Sequence, residues 1–224
     1  MTFSLVARCE QTGMFGMAIS SSSPAVAARC AFARAGIGAV ASQNITDPSL
    51  GIKGLDLLAA GHSAAEALDI IRKNTTHLDY RQLLIVDANG ETAIHSGQQA
   101  LGIWAQANSA NVASGGNLLA NNRVPQSMVD CFLRASGHLG DRLIMALQAG
   151  RDAGGEAGPV HSAGLLLVDK LSWPIAEIRC DWSVACPIEQ VRAGWAIYKP
   201  QIESYIQRAL NPEESPSYGV PGDE

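Results

Sequence analysis

The sequence predicts an α+β fold in which two antiparallel sheets stack face to face with helices outside, a four-layer αββα sandwich. Three observations lead there. Alternating or small-residue apolar segments fall in blocks, separated by pairs of helical segments, in the order strands, two helices, strands, two helices, strands, helix. Tight-turn chemistry joins neighbouring strands and makes them antiparallel. Hydrophobic residues fill 47% and charged residues 17% of the 224 positions, an apolar supply that a layered core requires.

The elements follow in order. Phe3, Leu5, Ala7 and Cys9 alternate with Ser4, Val6 and Arg8, and Thr12-Gly13 turns the chain into a second strand over 14–20. Ser20-Ser21-Ser22-Ser23-Pro24 breaks it, and an apolar passage over 25–35 leads to a strand of small residues over 36–43. Small side chains on a strand allow a sheet or ligand to approach closely. A helix over 47–61 has a stripe of Leu50, Leu55, Leu57 and Leu58 and ends at Gly61. Ser63 and Glu66 form a capping box that opens a second helix, to about Lys73. A strand over 81–87 meets Asn89-Gly90, the strongest hairpin signal in the chain, and pairs back over 91–95. Weaker strands over 104–107 and 111–114 end at Gly115-Gly116-Asn117. Helices over 125–136 and 140–149, strands over 162–169 and 175–181, and a helix over 188–210 complete the order. No linker or repeat divides the chain, so one domain over 1–211 and a mobile acidic tail over 212–224 are expected.

Composition narrows the function. The net charge of −5 and the absence of a basic stripe argue against a nucleic-acid partner. No apolar run is long enough to span a membrane, and the amino terminus lacks a secretory pattern. Five unpaired-looking cysteines, Cys9, Cys30, Cys131, Cys180 and Cys186, fit reduced thiols in a cytoplasmic protein. Neither metal-ligand spacing nor a nucleotide-binding motif is present, so no metal and no cofactor are expected. The nucleophile elbow of the α/β-hydrolases is also missing. Four tryptophans, some in the carboxy-terminal third, suit either a core or a homo-oligomer interface.

A fold of this layer order can carry a nucleophile on the first residue of its first strand, which directs attention to Thr2. Methionine aminopeptidase removes Met1 when so small a residue follows. Thr2 would then combine a hydroxyl with a free α-amine, whose pKa of roughly 7.7–8.0 lets it act as a base near neutrality. The competing reading is that threonine is simply a good strand former.

The opening Met1-Thr2-Phe3-Ser4-Leu5-Val6-Ala7-Arg8, Thr12-Gly13 and Gly16-Met17-Ala18-Ile19-Ser20-Ser21 resembles domain-of-unknown-function family 1028, whose members are similar to the N-terminal-nucleophile (Ntn) hydrolases. The resemblance continues over 35–43 and 51–61, at Tyr80-Arg81-Gln82-Leu83 and Gly116-Asn117-Leu118-Leu119, and over 153–163, covering roughly residues 2–170. It implies an Ntn-hydrolase-like αββα sandwich and amide-bond hydrolysis with Thr2 as nucleophile, on a small amide or ureido substrate. One segment departs from the family pattern. Glu156-Ala157-Gly158-Pro159-Val160-His161-Ser162-Ala163 lacks the arginine of an Asp-x-Arg-Gly-x-Gln-Ser-Ala run and has His161 for its glutamine. An arginine there would offer a bidentate carboxylate contact.

Other candidates surround Thr2. Asn117 follows two glycines and could donate its NH₂ to an oxyanion, or merely close a turn. Ser20, Ser21, Ser42 and Gln43 could line the pocket by hydrogen bonding, or cap strand ends. Arg81 could bind a substrate carboxylate or join a surface ion pair. Glu156 and Asp152 could orient an amine, and His161 a substrate, though the opposite facing of adjacent strand residues argues against a direct His161–Ser162 pair. The alternative to an amidohydrolase is a non-catalytic protein of the same fold, serving as a small-molecule-binding or assembly subunit.

Overall fold

The alternation at the amino terminus forms a hairpin of β1 (Thr2–Arg8) and β2 (Phe15–Ser21), in register from Phe3↔Ser20 to Arg8↔Phe15. The structure is a computed structural model and describes residues 2–222. A short helix α1 (Val26–Cys30), β3 (Ala31–Arg34) and β4 (Gly38–Asn44) come next. They lead to α2 (Pro48–Ala59), α3 (Ala64–Asn74), β5 (Arg81–Asp87) and β6 (Thr92–Ser96). The chain continues through β7 (Ala105–Ser109), β8 (Val112–Asn117), α4 (Val124–Arg134) and α5 (Leu139–Asp152). It closes with β9 (Ser162–Val168), β10 (Ala176–Cys180), α6 (Pro187–Tyr198) and α7 (Ile202–Leu210).

Two antiparallel sheets result, one in the order β10-β9-β2-β1-β8-β7 and one in the order β3-β4-β5-β6. Three apolar clusters show what each face buries. Phe3, Leu5 and Ala7 pack with Phe132, Leu143, Leu147 and Trp195 from α4, α5 and α6. Val6, Met17 and Ile19 meet Ala39, Ala41, Leu84 and Val86 from the other sheet. On the far side of that sheet, Val40, Leu83 and Ile85 meet Leu55, Leu58, Leu68 and Ile71 of α2 and α3. Helices therefore flank a pair of sheets, and both alternating faces of β1 are buried.

Two expectations needed adjustment. The passage over 25–35 resolves into α1 and β3, each too short for periodicity to distinguish. The final helix is not continuous. It gives way to a 3₁₀ turn at Lys199–Gln201, where Pro200 lacks the N–H that an α-helix would use. In the segment after Pro212, Arg208 donates to the Pro216 and Ser217 carbonyls and lies 3.8 Å from the Tyr218 ring centroid, which holds this stretch against α7.

Candidate functional site

Thr2 begins an interior strand, with β8 on one side and β2 on the other. Register places Asn117 opposite Thr2, and Ser21 opposite Ser162. Thr2 Oγ1 reaches Ser21 Oγ at 3.4 Å, long for a hydroxyl hydrogen bond, so the four residues form one transverse row at the sheet end. Directly opposed residues share a face, and that face is the one that carries Ser4 and Val6 toward the other sheet. The gap between the sheets is thus apolar in its middle and polar at the Thr2 end.

The polar floor is a chain of amides with a fixed direction. Ser4 Oγ donates to Gln43 Oε1 at 2.6 Å, and Gln43 Nε2 donates to Gly115 O at 3.2 Å and to Gln82 Oε1 at 2.7 Å. Gln82 Nε2 in turn donates to Gly116 O at 3.2 Å and Ser96 Oγ at 2.9 Å. Backbone carbonyls can only accept, so Gly115 and Gly116 dictate which way both glutamines point. Gln82 Oε1 must then accept from Asn117 Nδ2, at 3.4 Å. Asn117 keeps its second N–H, and its Oδ1 is buried with no partner. Gly115 makes this arrangement possible: a Cβ there would lie 2.9 Å from Leu84 Cδ2 and 3.3 Å from Gln82 Nε2.

Glu156 closes the end of the row. Its backbone bridges Leu119, just past β8, while its Oε1 accepts from Ser22 N at 2.9 Å, just past β2. Glu156 therefore reaches from the end of β8, through its backbone, to the end of β2, through its carboxyl, and those two strands flank β1. Burial pushes its pKa up to about 7, against the lowering effects of the Ser22 hydrogen bond and the His161 charge, and Oε2 has no hydrogen-bond partner. The backbone is strained around the same sheet ends. Ala25, Asn44 and Leu118 are non-glycine residues with φ of 52°, 69° and 50°. Positive φ in alanine and leucine is uncommon, and such outliers concentrate at functional sites.

The predicted site residues divide by face. Thr2, Ser21, Asn117, Gln43 and Glu156 come together. Ser20 and Ser42 do not, which corrects the expectation that they line the pocket. Each sits one residue out of phase, and Ser20 Oγ donates to Ser162 O while Ser42 Oγ donates to Asp47 O. Arg81 is also out of phase with Gln82. Its Nη1 donates to the Ile45 carbonyl, and it forms no ion pair among those seen in the described residues. His161 flanks the row through its backbone, donating to Ser21 O at 2.8 Å. Its ring is held by Ser183 O at 2.8 Å and stacks on Trp182 at 4.5 Å. Because Ser183 offers a carbonyl, which can only accept, Nδ1 is the donor of this bond.

Reasoning from sequence missed Gln82, Ser4, Ser23, Ser162 and Arg29. Ser23 Oγ lies 2.8 Å from Ser21 Oγ and accepts from Arg29 Nη2 at 3.0 Å, which brings a fixed positive charge within two hydroxyls of Thr2. Alternation carried part of the signal, since Thr2, Ser4 and Gln82 are polar residues on faces that the apolar pattern turns inward. Among the described residues no three His, Cys, Asp or Glu side chains stand together as a metal-binding group. Among the described residues no helix is long and apolar enough to cross a membrane.

The fold and site define an α+β protein of two antiparallel sheets with flanking helices and a buried polar site at one sheet end. The chain matches the model of a family of unknown function, DUF1028, over residues 2–191, and belongs to that family. It is similar to the crystal structure of SPO2555 from Silicibacter pomeroyi, with 26% identity and a TM-score of 0.82 over 88% of this chain and 89% of that one. Anbu (ancestral beta-subunit) from Yersinia bercovieri aligns at 11% identity and a TM-score of 0.39, over 91% of this chain and 97% of that one. An Anbu Gly-1 mutant from Hyphomicrobium sp. strain MC1 aligns at 11% and 0.42, over 92% and 100%. These last two likenesses are too low to inform the site. No curated protein matches the chain.

Proposed function

We propose that this protein is an Ntn-type amidohydrolase on a four-layer αββα sandwich, cleaving a small amide or ureido C–N bond with Thr2 after removal of Met1. The observation that carries the reading is the placement of the Thr2 hydroxyl. It starts an interior strand, in a buried polar row with Ser21 and Asn117, and Glu156 joins the ends of the two strands on either side.

The chemistry follows from one residue's two functions. As Thr2 Oγ attacks the carbonyl carbon, the Thr2 α-amine takes the hydroxyl proton. The uncommitted N–H of Asn117, with a backbone N–H, steadies the oxyanion, a contribution of about 2.7–4 kcal/mol per donor in comparable sites. The ammonium then protonates the leaving nitrogen as the C–N bond breaks, which leaves an acyl ester on Thr2. Water, deprotonated by the same amine, releases the acid and restores the hydroxyl. Ser21, Gln43, Glu156 and His161 frame the substrate. Asn117 Oδ1, a buried acceptor without a partner, favours a group that brings an N–H donor, while Glu156 Oε2 donates when protonated and accepts when ionised.

Purified, untagged protein should have a mass short by one methionine, and Thr2→Ala should abolish turnover in a screen of amide and ureido compounds. Full turnover by Thr2→Ala would overturn the nucleophile assignment. A non-catalytic binding or assembly role is the second reading, favoured by the burial of Thr2 at 5% exposure. Met1 retained on every molecule would support it.

A further inference from the structure

The other end of β1, roughly 20 Å from Thr2 at 3.4 Å per residue, holds a second cavity. It has a volume of about 430 Å³ and lies between the β1–β2 turn, the β7–β8 turn and the junction of α4 with α5. Arg8 and Arg142 both line it. Arg8 Nη1 donates to Asn111 Oδ1 at 3.1 Å. Arg142 Nη2 donates to the Phe132 carbonyl at 3.2 Å, and its guanidinium carbon sits 4.0 Å from the Phe132 ring centroid. Every one of these anchors is neutral.

The consequence is electrostatic. A guanidinium offers five N–H donors and stays charged throughout the accessible pH range. Fixed by carbonyl oxygens and a ring face, it keeps its orientation without having its charge cancelled. Neither arginine belongs to any ion pair seen among the described residues, and Arg142 Nε is buried with no acceptor. The one carboxylate lining the cavity, Glu10, is exposed. Cys9 lines the same space and senses the field. Burial opposes its ionisation, yet hydrogen bonds from Thr12 and Gln11 and the Arg142 charge outweigh it, so the thiol ionises more readily than an ordinary one.

We propose that this cavity is a binding site for a small dianion, a dicarboxylate or a phosphate, gripped jointly by Arg8 and Arg142 and separate from the Thr2 site. The volume is within the range of about 300–1,000 Å³ typical of small-molecule pockets. Planar forks suit both anion types, because each presents paired oxygens.

Calorimetry with inorganic phosphate and with succinate, against chloride at matched ionic strength, tests the proposal. Saturable binding of at least one is expected, with the stronger of the two naming the oxygen geometry preferred. Arg142→Gln and Arg8→Gln should each weaken it roughly tenfold or more, as expected for a lost charge-assisted contact. Arg142→Lys, which keeps the charge but loses the fork, guards against a folding defect and should weaken it less. Bound anion should slow alkylation of Cys9 by iodoacetamide, and Thr2→Ala should bind as the unsubstituted protein does. Absence of binding beyond chloride, or affinity unchanged in both glutamine variants, would overturn the site whatever the fate of the Thr2 mechanism.

Discussion

Residue by residue, the Thr2 site depends on buried polar groups whose partners are few and specific. Gln82 is the clearest case. It is fully buried and joins Gln43, Asn117, Ser96 and the Gly116 carbonyl. Truncation strands several of these groups at once, and each buried unsatisfied group costs about 1–3 kcal/mol. Gln82→Ala should therefore lose about 3 kcal/mol of unfolding free energy in urea, together with any turnover. A loss below about 1 kcal/mol would mean that the amides re-pair without it.

Glu156 makes a prediction with a sign. Folded, it holds its proton up to about 7, whereas its ordinary value is 4.5. Between those values the folded state binds more protons than the unfolded one, so stability falls as pH rises through the window. The loss is complete above the folded value and amounts to about 3 kcal/mol at most. Glu156→Gln stays neutral and can still accept from Ser22 N. It should match the unsubstituted protein at about pH 4.5 and exceed it in melting temperature at about pH 8. Parallel pH profiles for the two proteins would show that burial does not hold this proton.

At the scale of elements, local chemistry explains the helix starts well. Asp47 Oδ1 accepts from Ser49 N at 3.1 Å, with Pro48 in the first turn of α2. Ser63 Oγ accepts from Glu66 N at 3.3 Å, and Glu66 Oε2 accepts from Ser63 N at 2.9 Å, which completes the capping box of α3. Ser63→Ala should cost about 1 kcal/mol by chemical denaturation, and Ser63→Asp should recover most of it. These caps, the Asn89-Gly90 hairpin with Gly90 at φ 83°, and the β1–β2 turn were all legible because each acts within a few residues. The α1–β3 passage was not, since a five-residue helix and a four-residue strand leave no periodic trace. Likewise Ser20 and Ser42 were legible as polar strand residues, but only register reveals that they face away from Thr2.

Across the whole molecule, packing distance between layers sets what the site can be. Small residues also let neighbouring helices of one layer close up: a Cβ on Gly140 of α5 would lie 2.4 Å from the Trp195 ring of α6. Trp195 is buried and donates to Asp141 at 2.8 Å, so the ring cannot withdraw easily. Gly140→Ala should lose about 1–3 kcal/mol in thermal or urea unfolding, the usual cost of overpacking. Trp195 fluorescence should shift to the red as the two helices part. An unaltered melting temperature would mean that α6 slides freely on α5.

The amino-acid sequence alone determined the alternation of strand blocks with helix pairs, the helix caps, the antiparallel hairpins and membership of the family, and it nominated Thr2, Asn117 and Glu156 as candidates. Periodicity, turn chemistry and capping are short-range, so they survive in one dimension. The tertiary structure decided that Gln82 and Ser4 join the hydrogen-bond network beside Thr2, that Arg81 turns to the Ile45 carbonyl, and that Arg8 and Arg142 line one cavity. Those outcomes depend on which residues of distant strands and helices come face to face. Sheet register and the separation of the layers fix that, and both arise only when about 200 residues bury their apolar faces together.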